Sequence, residues 1–238
     1  MVESTAVATT AKSTDVRERL ALALDVDDLV TAMRLAKELQ PWFGVAKIGL
    51  ELFSASGPDA VASIAGCGYK IFLDAKLHDI PTTVGKAARV LGALGASYLT
   101  LHAAGGVPML HAGVEGLNEG AAGAGLEPPT ALAVTILTSD GGAPPHVLGK
   151  RVAAALDARC GGLVCAAADV REAKQLAPNL ITVVPGIRPA GAAAHDQARA
   201  ATPRDALEAG ADLLVIGRAV TGAKDHQQAA QDLVDSVS

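Results

Sequence analysis

Aromatic side chains are scarce in this chain: one Trp, two Tyr and three Phe among 238 residues. So few rings leave no platform on which bases could stack. No run of Lys and Arg forms a phosphate-neutralising stripe either, so nucleic acid is not an expected partner. Cysteine is almost as rare. Cys67, Cys160 and Cys165 lack the paired spacing of a zinc site and cannot all pair with one another, which argues for small buried thiols over a disulfide framework. Long apolar runs are also missing. The opening "MVESTAVATTAKSTDVRERL" has no cationic lead and no long apolar core, so we expect neither a secretory signal nor a membrane anchor, and a cytoplasmic protein. Small and polar residues dominate positions 1–14, which are expected to form a flexible tail ahead of one folded domain spanning 15–238.

What is plentiful is aliphatic. Half the residues are apolar, and they gather into eight short runs at regular intervals: "LALALDV" at 20–26, "GVAKIGL" at 44–50, "YKIFLDA" at 69–75, "ASYLTLHA" at 96–103, "TALAVTIL" at 130–137, "GLVCAA" at 162–167, "LITVVPG" at 180–186 and "DLLVIGR" at 212–218. Segments with helical spacing lie between them, among them "DDLVTAMRLAKELQ", "TTVGKAARVLGALG", "LGKRVAAALDARC" and "TPRDALEAG". Strands apolar along their whole length, alternating with amphipathic helices, call for a parallel sheet covered by helices. Eight such units favour closure into a single-domain α/β (β/α)8 TIM barrel over an open doubly wound sheet. "LNEGAAGAGLEPP" at 117–129 and "SDGGAPP" at 139–145 read as the principal loops.

Charge then appears where an apolar strand should end quietly. In "YKIFLDAKLHDIPTTV", parity puts Phe72, Asp74 and Lys76 on one face and Ile71, Leu73 and Ala75 on the other. The aliphatic face suits packing on helices. Asp74 and Lys76 therefore point into the barrel or its mouth, at the C-terminal end of the strand, where barrel active sites are built. Asp25 ends the first run and Lys47 lies in the second, so neighbouring strands offer Asp, Lys, Asp and Lys around one rim. A salt-bridged layer that only closes the barrel is the plainer alternative, but buried ion pairs are weak stabilisers and apolar residues usually fill that layer.

A second group lies near the end of the chain. The seventh run leads into "VVPGIRP" and the eighth into "VIGRAVTGA", so Gly186 and Gly217 let backbone amides approach a ligand while Arg188 and Arg218 supply cations. The loops after strands seven and eight are the usual phosphate site of such barrels. These residues describe an enzyme acting on a small phosphorylated anion, with no HExxH, GxSxG, P-loop or dinucleotide fingerprint to compete. His78, His102, Trp42 and Phe43 are read more plainly: His78 as a loop-orienting residue, His102 as either a hydrogen-bonded rim residue or a ligand contact, the two aromatics as packing groups.

Taken together, "LALALDV", "KIGLELF", "FLDAKLHDIPTTV", "TILTS", "VVPGIRP" and "VIGRAV" resemble the orotidine 5'-phosphate decarboxylases, in the expected order from about Leu20 to Thr221. The resemblance implies a cofactor-free and metal-free decarboxylation of orotidine 5'-phosphate to UMP by a homodimer with shared active sites. It implies Lys76 as the proton donor to C6, Asp74 beside the substrate carboxylate, and Lys47 bonded to Asp74 and the ribose. Asp79 would reach into the partner's site, completing a Lys, Asp, Lys, Asp chain. Asp25 would touch the ribose or pyrimidine, Thr82 and Thr83 would neighbour the substrate, and Thr138, or Ser139 in its place, would touch the pyrimidine. Gln197 would grip the phosphate with Arg188, Gly217 and Arg218. Sugar phosphate decarboxylases and aldolases of the same superfamily share DxKxxD but use a divalent metal, with an acidic residue on strand two and the motif continued as DAG; here Lys47 and "DIP" stand instead. A non-catalytic phosphate-binding barrel is the remaining alternative.

Overall fold

All eight apolar runs become strands in the computed structural model, which describes residues 16–140, 143–188 and 201–237. They are β1 (Leu20–Leu24), β2 (Val45–Ile48), β3 (Lys70–Leu77), β4 (Tyr98–His102), β5 (Thr130–Val134), β6 (Gly162–Val164), β7 (Ile181–Val184) and β8 (Leu213–Ile216). Each pairs in parallel with the next, and β8 returns to β1, closing a (β/α)8 barrel rather than an open sheet. Seven strands are shorter than their apolar runs, because the last residues of each run leave the ladder for the loops; Leu50 already begins a helix. β3 alone runs longer, to Leu77. The tail expected at 1–14 lies outside the described residues.

Parity sorts the side chains into two shells. Ala21, Ala23, Val45, Phe72, Leu132, Val134, Val164, Val183, Leu213 and Val215 fill the barrel interior. Leu20, Leu22, Leu24, Ala46, Ile48, Ile71 and Leu73 alternate with them and pack outward against the helices. The interior is thus a packed plug, and only its C-terminal rim is left for chemistry.

Ten α-helices are described: α1 (Leu29–Leu39), α2 (Leu50–Ser56), α3 (Pro58–Ala65), α4 (Pro81–Gly92), α5 (Gly106–Ala124), α6 (His146–Asp157), α7 (Val170–Leu176), α8 (Pro203–Glu208), α9 (Arg218–Thr221) and α10 (His226–Asp235). Local chemistry sets their starts. Asp28 accepts the Thr31 N–H at 2.8 Å to cap α1, Asp225 accepts the Gln228 N–H at 2.9 Å to cap α10, and Pro81 opens α4 at a position that needs no donor.

One expected loop is wrong. Residues 117–124 of "LNEGAAGAGLEPP" are helical and finish α5, which ends at Gly125 with φ 68°. Glycine serves close approach there: a Cβ on Gly116 would lie 2.3 Å from the Gly85 carbonyl oxygen, and one on Gly120 would lie 1.9 Å from that of Arg89. α5 therefore rests backbone against backbone on α4. In "SDGGAPP" the described residues are non-helical as expected, and 141–142 lie outside the described set.

The N-terminal rim is tied by ion pairs of its own. Asp212 takes the Lys174 ammonium at 2.7 Å together with the Thr182 N–H at 2.7 Å and hydroxyl at 3.0 Å, and Lys70 pairs with Glu18 at 2.6 Å. Purely closing salt bridges thus exist in this molecule, at the end away from the charged strand termini.

Candidate active site

β3 leaves its ladder where its charges begin. Leu73 pairs with Leu99 and Leu77 with Leu101, so β3 advances four residues (73 to 77) while β4 advances two (99 to 101). This bulge contains Asp74 and Lys76, and Lys76 sits at φ 47°, in the left-handed region that a side chain seldom adopts. The distortion folds one residue back on the other. Lys76 Nζ donates to Asp74 Oδ2 at 2.6 Å. Thr100, wholly buried on β4, donates its hydroxyl to Asp74 Oδ1 at 2.9 Å and accepts the Lys76 N–H at 2.9 Å.

A second ion pair stands beside the first. Lys47 Nζ donates to Asp25 Oδ1 at 2.7 Å, with the lysine side chain 11% exposed and the aspartate 58%. This corrects one expectation: no Lys47–Asp74 ion pair exists among the described residues. Lys47 lies opposite Ala23 in the register, two residues before Asp25 on the same face, while both Asp74 oxygens are already engaged. Within this chain two separate pairs stand where a Lys47–Asp74 link was expected. Gly49 lies behind the Lys47–Asp25 pair, and a Cβ there would stand 3.1 Å from both Asp25 Oδ1 and Lys47 Nζ.

These groups open on a cleft of about 210 Å³ at the C-terminal mouth. Asp25, Lys47, Asp74 and Lys76 line one arc, and Gly186, Arg188, Gly217 and Arg218 line the arc formed by β7 and β8. Phe72, Val134, Val164 and Val215 come from the barrel interior to form the apolar floor. Gly186 takes φ 77°, and Arg188 is buried with Nη1 donating to the Ile187 carbonyl at 2.8 Å. Ile136, Leu137 and Thr138 make the remaining wall; Ser139 is exposed and not part of it.

Other expected residues stand apart. Asp79, Thr82 and Thr83 are exposed and do not line the cleft of this chain; Asp79 Oδ1 instead accepts the Ile80 N–H at 2.6 Å. Gln197 lies outside the described residues. His102 accepts the Ala104 N–H on Nδ1 at 3.2 Å and stacks on His78, with ring centroids 5.1 Å apart, so both belong to the rim beside the cleft. Burial, then the neighbouring His78, Arg151 and Lys76, holds the His102 imidazole below its ordinary value of 6.5. Trp42 donates to Gln231 at 2.9 Å and Phe43 is fully buried, as packing groups. Thr100 was missed. Its signal was parity again: Tyr98, Thr100 and His102 alternate inward on β4, and the hydroxyl falls beside the carboxylate of the neighbouring strand.

The three thiols are free, and burial pushes that of Cys160 up to about 12. Among the described residues no cluster of three His, Cys, Asp or Glu could hold a metal ion, and no helix is long and apolar enough to cross a membrane.

With this geometry in place, the likeness to known proteins is direct. Residues 18–233 match the model of the family described as Orotidine 5'-phosphate decarboxylase / HUMPS. The curated orotidine 5'-phosphate decarboxylase of Anaeromyxobacter sp. (strain K) is 46% identical over 225 residues, covering 90% of this chain and 96% of that protein. That of Thermobifida fusca (strain YX) is 43% identical over 228 residues, covering 90% and 93%. Among solved structures, orotidine 5'-phosphate decarboxylase from Lactobacillus acidophilus superposes with a TM-score of 0.73 at 32% identity, covering 92% of this chain and 98% of that one. An uncharacterized conserved protein from Geobacillus kaustophilus gives 0.76 at 31%, covering 92% and 100%.

Proposed function

The chain belongs to the orotidine 5'-phosphate decarboxylase / HUMPS family and is a carboxy-lyase that makes UMP from orotidine 5'-phosphate; we propose that Lys76 stabilises and then protonates the C6 carbanion of that reaction, with no cofactor. The observation that supports this reading best is the Lys76 ammonium held 2.6 Å from Asp74 at the wall of a cleft whose opposite arc carries Arg188 and Arg218. Departure of carbon dioxide leaves a charge at C6 that the ring cannot delocalise. A fixed ammonium lowers the energy of that charge before giving up its proton, and needs no reorganisation to do so. Asp74 stands where the departing carboxylate is expelled. The Lys47–Asp25 pair takes the ribose, Thr138 the pyrimidine, and Gly186, Arg188, Gly217 and Arg218 the phosphate, with Gln197 from the same side. Binding of that remote phosphate holds the reacting end in place.

The active unit is a homodimer. Asp79, with Thr82 and Thr83, is off this chain's cleft and exposed next to Ile80, itself 66% exposed, and these residues complete the partner's site.

The test follows the ultraviolet spectrum of orotidine 5'-phosphate with purified protein, with and without EDTA. Turnover that EDTA leaves intact is expected, and Lys76→Ala should lower kcat by about 10²- to 10⁴-fold. Absence of turnover refutes the reading, and turnover abolished by EDTA assigns the chain to metal-dependent chemistry.

A further inference from the structure

Lys76 holds an unfavourable backbone conformation at the most important position in the cleft, so something must hold it there. The contacts of β3 within the bulge identify what does. Between Leu73 and Leu77 the ladder to β4 is broken, and the Lys76 N–H is taken by the Thr100 side chain instead of a β4 carbonyl. The same hydroxyl spends its one proton on Asp74 Oδ1, while Asp74 Oδ2 takes the Lys76 ammonium. Main chain, hydroxyl, carboxylate and ammonium therefore form a closed ring.

We propose that Thr100 is a positioning residue for the decarboxylation: by accepting the Lys76 N–H and donating to Asp74, it fixes the backbone bulge and thereby the distance and direction between the Asp74 carboxylate and the Lys76 ammonium. The role rests on the proposed function of Lys76. It requires a hydroxyl, because only a group that donates and accepts at once can serve both neighbours. It also requires burial, because water at that point would satisfy either partner without fixing their relative placement; Thr100 is 0% exposed. Thr100 does not line the cleft, so it acts through Asp74 and Lys76 and not on the substrate.

The experiment compares Thr100→Val, which keeps the shape and removes the hydroxyl, with Thr100→Ser, which keeps the hydroxyl. Thr182→Val, at the far end of the barrel, sets the scale of a purely structural loss, since Thr182 is equally buried and its hydroxyl also contacts a carboxylate. Displacing a reacting group by about 1 Å costs on the order of 100-fold, and Thr100→Val is expected to lose kcat by that factor with KM for orotidine 5'-phosphate little changed. Thr100→Ser should recover most of kcat. Thr182→Val should lower the melting temperature without lowering kcat. Crystal structures of both Thr100 variants give a readout independent of turnover: with Val, Lys76 should leave positive φ or its ammonium should part from Asp74, and with Ser neither should happen. Should the wild type prove inactive, the proposed function fails, and these structures still decide whether Thr100 holds the bulge. Wild-type kcat in Thr100→Val, a Ser variant as poor as the Val variant, or an unchanged Lys76 backbone in the Val structure would each overturn the proposal.

Discussion

Gly49 occupies a position where one methyl group is enough to separate substrate binding from folding. Its φ of −87° suits any residue, so Gly49→Ala carries no backbone penalty, yet its Cβ would press on both members of the Lys47–Asp25 pair at 3.1 Å. The pair must part by a few tenths of an ångström. We expect KM to rise several-fold, in the range of about 3- to 10-fold for the weakening of one hydrogen bond to the ribose, with the melting temperature nearly unchanged. Unchanged KM would show that the pair does not touch the ribose. At this scale the sequence was most legible where parity applied: two residues apart on one strand is enough to place Asp74 and Lys76 on the inner face, and Lys47 and Asp25 beside them. Parity says nothing about which carboxylate an ammonium selects. Lys47 took Asp25 because Thr100, a neutral residue that carries no charge signal in the sequence, had already occupied Asp74 together with Lys76.

The pair of helices α4 and α5 shows how an element escapes reading. Glycine lowers helix propensity, and three glycines with two prolines in 117–129 made that stretch look like a loop. The property that propensity cannot carry is distance to a neighbour, and it is the α4 backbone that demands glycine at 116 and 120. Gly120→Ala drives a methyl into the Arg89 carbonyl, and should cost about 2–3 kcal/mol, lowering the melting temperature of a chain of this size by roughly 4–10 °C. Gly123 faces open space. Gly123→Ala should stabilise by about 0.5 kcal/mol through helix propensity alone. Thermal unfolding of the two variants checks both signs, and equal shifts would refute the close-approach account. Because α4 begins at Pro81, the last residue of the "DIP" of the motif, a tilt of α4 also carries Thr82 and Thr83 with it.

For the molecule as a whole, the proposed shared-site dimer makes a prediction that no single chain can satisfy. Asp79→Asn and Lys76→Ala homodimers should each be inactive. Mixed under exchange, half the dimers pair unlike chains, and each such dimer regains one complete site, so activity should return to about a quarter of wild type. No recovery would place Asp79 in its own chain's site or in none. Stability has its own pH signature. Because His102 holds its proton less readily in the folded chain than its ordinary value of 6.5, its contribution to stability is full above pH 6.5 and is lost as pH falls from there through the lowered folded value. The melting temperature should therefore fall more steeply below pH 6.5 in the wild type than in His102→Gln, and parallel curves would contradict that assignment. The architecture at this scale was legible because eight apolar runs with intervening helical periods leave few arrangements. Closure was favoured by the count of eight units alone, since no residue in the sequence states that β8 pairs with β1.

The bulge in β3 has a consequence best put in terms of a reading frame. A strand alternates its faces with a frame of two, and the surplus between Leu73 and Leu77 is two residues relative to β4, so the frame is kept: Leu73 and Leu77 both face the outer shell, as do their partners Leu99 and Leu101. A surplus of one would have turned every residue beyond it inside out, putting Leu77 into the mouth of the barrel. Deleting any single residue from 74 to 76 is thus a frameshift at the level of the fold, whereas the even insertion lifts two charged side chains out of the ladder without the outer face registering that anything was added.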